Sequence, residues 1–550
     1  MTQDDPRALL MQAFAAEHAG EGARARELAA RAHAAAPDLP AVIAARAILL
    51  ASTDPPTAEA LGRRVVDLDP GNAGAYSFLA ALFAPLRRDV EAAALFESFA
   101  ARDLPEAARR TVLIALAGFR NRIGDAAGAL AVFDALGPTD DPALEHQRLI
   151  AALYARDHDD RAVIEIKRCF DAVDPAPRPR PPPGARRARP RIGFAGSDLG
   201  APNYMALFAP LLAALDRARY DVVVIALGPI HGAVRAWYLA RGIVPIQTGD
   251  AADPDALAAR IAACDLDVLV EMDDVLGRKG RAAVRRRPAR AHAAWFNMTG
   301  PAGDPAYDAS IGNAALYPDP SVFAERCVRL PDDAFVYDPE FGALGPPPPS
   351  PAPCETGAPV TFGALAQPYK IGALCLDLWA GALRAAPSAR FHLANAAMAE
   401  AAARTRFVRE MAARGVDPAR LSTGVASGWP GYLAEYARID LAFATFPVAG
   451  GTTMFEAAYQ GVPTLSARGH HALARIGDWL ARAVDAPWLA CADAGEFAAR
   501  AAQLAADPAP LIAARRTWRD GLRAKSARDA PRVAGALAEA LLDLAGQGAP

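Results

Sequence analysis

The chain of 550 residues lacks a strong charge of either sign: 59 Lys and Arg stand against 62 Asp and Glu, for a formal net charge of −3. Such a balance gives no overall basic field to hold a polyphosphate backbone, which argues against nucleic acid as a main partner. Cysteine is scarce. Cys169, Cys264, Cys327, Cys354, Cys375 and Cys491 lie far apart and form no C-x-x-C pair, so neither a zinc motif nor a redox dithiol is written here, and a reducing cytosol suits the pattern. No apolar run approaches the roughly 20 residues that span a bilayer. The N-terminus, MTQDDPRALLMQAF, begins acidic and lacks the basic-then-apolar order of a secretory signal. The expectation is a cytoplasmic protein with no membrane span.

Apolar residues, at 53%, are plentiful enough for most of the chain to fold, and at roughly 100 to 200 residues per domain the length divides into three or four units. The prolines supply a period. Pro37, Pro70, Pro105, Pro138 and Pro175 fall 33, 35, 33 and 37 residues apart, close to the 34 or so residues of a helix-turn-helix repeat. Between them lie pairs of amphipathic patterns such as AGAYSFLAALFAP then DVEAAALFESFAARD. The segment looks like tetratricopeptide repeats, with an irregular helical bundle as the alternative, and stacked repeats of this kind present a concave surface for a protein partner. It ends in DPAPRPRPPPGARRARP, where proline density reads as a semi-rigid spacer.

Beyond the spacer, strands alternate with helices, which predicts parallel sheets. RIGFAGSD, YDVVVIALG, LDVLVEMDD and AHAAWFN form one series; PVTFGALA, ARFHLANA, IDLAFATFP and GVPTLSA form a second, after the break GPPPPSPAPCETGAP. The predicted organisation is a helical repeat arm at 1–173, a linker at 174–190, an α/β lobe at 191–343, a second linker at 344–359, and an α/β lobe with closing helices at 360–550. Two such lobes leave a cleft between them, where ligands usually bind.

The strongest local signal is IDLAFATFPVAGGTTMFEAAYQGVPTLS. A buried strand runs into Gly450-Gly451, and a helix starts near Thr452, so free amides and the positive helix end favour a diphosphate there. The Thr452 and Thr453 hydroxyls add donors, and Glu456 can accept from ribose hydroxyls. Alone, the segment reads equally well as an ordinary helix start. Gln367 and Lys370 follow the second lobe's first strand on the rim facing the cleft, where Lys370 can meet charge developing on a leaving diphosphate. In the first lobe Asp198 is the carboxylate of the cleft loop, either a proton acceptor or a helix cap, with Asn203 and Tyr204 as positioners. Asp273 and Asp274 stand at a strand end as cleft or turn residues. His470-His471 either line the nucleotide site or form an exposed loop pair, and His292 reads as a satisfied core imidazole. No D-x-D pair stands in a metal-binding context, so a metal-independent reaction is expected.

Taken in order, RIGFAGSDLG, LDVLVEMDD, RPARAHAAWFNMTGPAGDPAYDASIG, FGALAQPYKI and GGTTMFEAAYQGVPTLSARGHHALARIG resemble the SPINDLY-type, tetratricopeptide-containing O-linked N-acetylglucosamine transferases of the two-lobed B-type glycosyltransferase fold. The resemblance implies a first lobe on the acceptor side and a second on the nucleotide-sugar side. It further implies that Gln367 and Lys370 contact the diphosphate, that Thr452 and Thr453 hold phosphates beside the Gly450-Gly451 turn, that Glu456 stands where the family binds ribose, and that Arg475 matches a late family arginine. The donor would be UDP-N-acetylglucosamine as co-substrate, with no other cofactor, and the acceptor a Ser or Thr of a protein docked on the repeats, a surface-appendage protein such as flagellin by analogy; the repeats also allow oligomerisation. This sequence departs from the family at four places. No histidine occupies the loop Gly200–Tyr204, and Ala366, Ala444 and Gly451 replace polar family residues. The departures keep two other readings open: the same transfer with a different nucleotide sugar, and a catalytically silent adaptor.

Overall fold

The computed structural model describes residues 5–172, 174, 176–179, 187–249, 253–296, 300–340, 345–426 and 428–546. Pro175 of the proline period, the boundaries at 173 and at 343 and 344, much of the first linker, residues 297–299 of the family-like stretch and the two chain ends lie outside the described residues. The chain divides into two compact units, Met1–Pro138 with Glu400–Arg406, and Thr139–Ala399 with Phe407–Pro550.

The first unit is built of helix pairs: Pro6–His18 with Gly22–Ala35, Pro40–Leu50 with Pro55–Leu68, Ala73–Leu86 with Asp89–Ala100, and Glu106–Arg122 with Ala126–Leu136. Pro37, Pro70, Pro105 and Pro138 each follow the second helix of a pair, where the missing N–H and the ring stop a helix. Asp54, Asn72 and Asp125 cap helix starts by accepting from Thr57, Ala75 and Gly128 amides. Tyr76, Phe96, Phe99 and Phe119 form the aromatic core, with ring centroids 5.2 to 5.6 Å apart.

In the second unit the helices Pro142–Ala155 and Asp160–Asp171 join two parallel sheets. Burial of ions fastens them. Lys167, fully buried, donates to Asp274 Oδ2 and to the Pro301 carbonyl, both at 2.7 Å, and the equally buried Arg281 donates to Asp171 at 2.8 and 2.6 Å and to Asp274 at 2.9 Å. Charges taken out of water are tolerated only when several partners meet them, as here.

The first sheet contains β1 (Arg191–Gly196), β2 (Asp221–Ala226), β3 (Ile246–Gln247), β4 (Val268–Glu271), β5 (Ala291–Ala294), β6 (Ala309–Asn313) and β7 (Arg326–Leu330), in the order β3-β2-β1-β4-β5-β6-β7. The second contains β8 (Thr361–Leu365), β9 (Arg390–Ala394), β10 (Leu421–Gly424), β11 (Leu441–Phe443), β12 (Thr464–Ala467) and β13 (Ala490–Cys491), in the order β10-β9-β8-β11-β12-β13. Each sheet reverses direction of winding at its first strand, β1 between β2 and β4, β8 between β9 and β11. Ligands bind outside the carboxyl ends of strands at such switch points. One device starts both lobes: Asp267 accepts from the Arg191 amide and Asp440 from the Thr361 amide, each at 2.8 Å. The expected fold class, a helical repeat arm followed by two α/β lobes, is what the structure has. Its last helix, Ala509–Gly546, returns to the first lobe, where Asp529 and Ser526 accept from the amides of Phe335 and Tyr337 at 2.9 and 3.0 Å.

Candidate functional site

A cavity of about 640 Å³ opens between the lobes, within the size range of small-molecule sites. Ten of the residues singled out from the sequence line it: Asp198, Asn203, Tyr204, Gln367, Lys370, Gly450, Gly451, Thr452, Thr453 and Glu456.

The second lobe supplies the cationic wall. Behind β8 the chain makes one 3-10 turn, Pro368–Lys370, starting at Gln367 and closed by the Lys370 amide on the Gln367 carbonyl at 3.0 Å. Asn395, at the end of β9, donates to the Ala366 carbonyl at 3.0 Å and holds the exit of the strand. Among the described residues no carboxylate pairs with the Lys370 ammonium, and desolvation lowers its pKa to about 8. A desolvated, unpaired cation has most to gain from an arriving anion.

Facing it, the helix Thr452–Tyr459 begins at Gly451 without a side-chain cap, so the positive helix end is left for a ligand. Gly450 is required by contact: a Cβ there would stand 2.2 Å from Thr453 Oγ1. Trp379 fixes the approach to this turn by donating to the Ala444 carbonyl at 3.0 Å, and Tyr436 holds the Thr453 carbonyl at 2.8 Å. Gly451, where the resemblance implies a histidine, has nothing within 4 Å of a Cβ position. The absent side chain leaves room beside the helix start.

Glu456 is buried, with its pKa pushed up to about 7 by desolvation against the opposing effect of Trp429, whose indole N–H donates to Oε1 at 2.8 Å. At neutral pH it is divided between carboxylate and acid, and so can accept from or donate to a hydroxyl. Trp429 and Tyr432 line the same end of the cavity and offer ring faces to a base. Sequence reading missed both, since an aromatic residue in a short helix such as Gly428–Ala434 carries no motif.

In the first lobe, Asp198 faces the cavity and caps no helix; the following helix, Pro202–Ala214, starts from Ala201. Asp198 keeps access to cavity water, yet the atoms crowded about it raise its pKa above the usual carboxylate range. Across the cleft, its negative charge helps raise the pKa of Tyr369 after burial has done most of the work. Tyr204 serves as wall rather than proton acceptor: its hydroxyl donates to the Met272 carbonyl at 3.3 Å, its ring packs on Phe296 at 4.7 Å, and burial drives its pKa far up. Phe296 itself has φ +81, a left-handed conformation rare for a bulky residue and commonest where function demands it.

Arg475 does not line the cavity. Its guanidinium donates to the Leu316 carbonyl at 2.9 and 2.7 Å, the His470 carbonyl at 2.6 Å and Asp160 at 2.6 Å, so four of its five N–H donors are engaged outside the cavity. Asp273 and Asp274 are turn and ion-pair residues: Asp273 accepts from Ser197, and Asp274 from Lys167 and Arg281. His470 pairs with Asp157 at 2.6 Å, and His471, buried, lies outside the cavity lining. His292 is fully buried. Among the described residues no group of three or more His, Cys, Asp or Glu is placed to hold a metal ion, and no helix is long and apolar enough to cross a membrane.

No protein-family model matches the chain. A Petunia hybrida protein named "Probable UDP-N-acetylglucosamine--peptide N-acetylglucosaminyltransferase SPINDLY" is 30% identical over 278 residues, which cover 50% of this chain and 29% of that protein. A protein of the same name from Oryza sativa subsp. japonica is 28% identical over 277 residues, again 50% and 29% of the two chains. The match thus spans under a third of these relatives' own length. A solved structure of a Thermobaculum terrenum O-GlcNAc transferase mutant superposes over 99% of this chain and 98% of its own, with a TM-score of 0.71 and 25% identity. The chain is a relative of the SPINDLY-type O-linked N-acetylglucosamine transferases. Of the positions at which it departs from the SPINDLY-type pattern, Ala366, Ala444 and Gly451 all line the cavity.

Proposed function

We propose that this chain is a protein O-glycosyltransferase, which moves a sugar from a nucleoside-diphosphate donor, UDP-N-acetylglucosamine in the first instance, to a Ser or Thr hydroxyl of a protein held by the helical repeats. The observation that carries the reading is the wall made by Lys370 and the uncapped helix start at Gly451 to Thr453: an unpaired ammonium and a positive helix end meet on one cavity. A scaffold has no use for a desolvated cation there, whereas a diphosphate neutralises it.

In the reaction, the acceptor oxygen forms a bond to the sugar's anomeric carbon while the bond from that carbon to the diphosphate oxygen breaks. The electron pair leaves with the nucleoside diphosphate, whose charge Lys370 and the helix start stabilise as it develops. That charge is met without calling on a metal. The acceptor proton passes to Asp198, whose pKa, raised by desolvation, makes it a stronger base than an ordinary carboxylate, and Gln367 and Glu456 orient the nucleotide. The open space at Gly451 favours a donor sugar that differs from N-acetylglucosamine in bulk near the phosphates as the second substrate to try.

The test is transfer itself. Wild type and Lys370→Met are incubated with isotope-labelled UDP-N-acetylglucosamine and other nucleotide sugars together with protein acceptors, and label in β-eliminable Ser and Thr is measured. Label from at least one donor, lost in Lys370→Met, is the expected result. No label from any donor, with nucleotide binding intact, would instead make the chain a silent adaptor.

A further inference from the structure

Tyr154, in the last turn of the helix Pro142–Ala155 that precedes both lobes, lines the cavity, and its ring meets Tyr369 of the second lobe edge to face at 5.5 Å. The same helix pair grips both lobes. Lys167 and Asp171 hold the first through Asp274, the Pro301 carbonyl and Arg281. Asp157 and Asp160 hold the second: Asp157 accepts from the His470 amide at 3.0 Å, and Asp160 accepts from the Ala472 amide at 3.1 Å and from Arg475 at 2.6 Å. Arg475 then closes the ring by donating to Leu316, in the first-lobe turn whose amide is held by the cavity residue Asn313 at 3.0 Å. Helix pair, first lobe and second lobe therefore converge on one buried guanidinium.

We infer that the helix pair Pro142–Asp171 is the third wall of the active cleft and that Arg475 and Asp160 are its positioning pair, setting the gap between the lobes and with it the distance between Lys370 on one side and Asp198 on the other. The inference rests on the proposed transferase reading for its effect on rate, but not for its effect on geometry. A planar guanidinium with five donors suits the task because it serves three carbonyl or carboxylate partners in fixed directions, which an ammonium cannot do. Asp160 satisfies two donors at once, so its loss frees both the arginine and the start of the 3-10 turn Ala472–Arg475. None of these groups touches the donor site, so nucleotide contacts, all from the second lobe, stay in place when the clamp opens.

The experiment compares wild type, Arg475→Met and Asp160→Asn in three readouts: UDP affinity by calorimetry, transfer rate, and the distance between spin labels on Val244→Cys and Val425→Cys, exposed sites in the first and second lobes, with Cys169, Cys264 and Cys327 changed to Ser. The expected result is UDP affinity within about twofold of wild type, kcat lowered by about 10²-fold as reacting groups move apart, and a longer or broader label distance. A loss of UDP affinity in proportion to the loss of rate, with the label distance unchanged, overturns the inference and returns Arg475 to the diphosphate. If Arg475→Met does not fold, Asp160→Asn, which removes one arm only, decides between the same outcomes. Absence of transfer in wild type defeats the transferase reading alone, since the label distance still reports the clamp.

Discussion

The indole N–H of Trp429 donates to Glu456 Oε1 at 2.8 Å, across 27 positions of chain, and both residues line the cavity. The indole favours the carboxylate and desolvation the acid, with desolvation the larger effect, so Glu456 titrates near pH 7. Because the folded form holds a proton that the unfolded chain releases above about 4.5, Glu456 withdraws stability as pH rises from roughly 4.5 through 7. Glu456→Gln, which keeps an oxygen for Trp429, is therefore expected to be more stable than wild type at pH 8 and to lose that advantage by pH 4. Melting temperature against pH for both proteins checks it; parallel curves would contradict it.

Lys370 predicts the opposite slope. Its pKa of about 8 lies below the usual lysine value, so the folded form binds fewer protons than the unfolded between about 8 and 10.5, and stability rises with pH across that window. Lys370→Met removes an unpaired, half-buried charge. It should melt higher than wild type at pH 7, with the difference shrinking by pH 10. A diphosphate beside the ammonium restores its proton, so UDP binding to wild type near pH 8.5 should be accompanied by proton uptake, read from calorimetry in buffers of different ionisation enthalpy.

Asp198→Asn separates binding from chemistry. The side chain stands on the first lobe, away from the phosphate wall, so UDP affinity should stay within about twofold while kcat falls by about 10²- to 10⁴-fold, the usual worth of a proton acceptor. The acidic limb of the rate profile should vanish with it. An unchanged kcat would remove Asp198 from the chemistry.

Asp274 carries fold rather than function. It answers both Lys167 and Arg281 at 2.7 and 2.9 Å, with all three side chains buried. Asp274→Ala leaves two cations short of a partner and should cost about 3–5 kcal/mol, measured by urea unfolding; a cost under about 1 kcal/mol would contradict the buried-network account.

The parts of this molecule that a reader of the sequence can see are those whose physics is local. Strand runs such as VVVIA, the proline stops at Pro37 to Pro138, and the Gly450 to Thr453 turn each declare themselves within a few residues, and Gln367 and Lys370 follow from their place just beyond a strand. Family-like motifs brought those local pieces to one cleft. What stayed hidden depends on distant partners. Arg475 reads as a donor ligand until its partners Asp160 and Leu316, 315 and 159 positions away, are seen to occupy it. Likewise, the period that groups the helices Pro142–Asp171 with the repeats is silent about Lys167, whose burial ties that pair to the first lobe. Trp429 and Tyr154 have no pattern of their own; only the fold turns them toward the cavity.

In the proposed function, Lys370 and the helix start at Gly451 to Thr453 form a site for a nucleoside diphosphate. Calorimetric titration of UDP and UDP-N-acetylglucosamine into wild type and Lys370→Met tests it most directly. One binding event per chain is expected in wild type, weakened at least about tenfold, or about 1.4 kcal/mol, in Lys370→Met. Binding of neither ligand to wild type at millimolar concentration, or equal affinity in the two proteins, would contradict it.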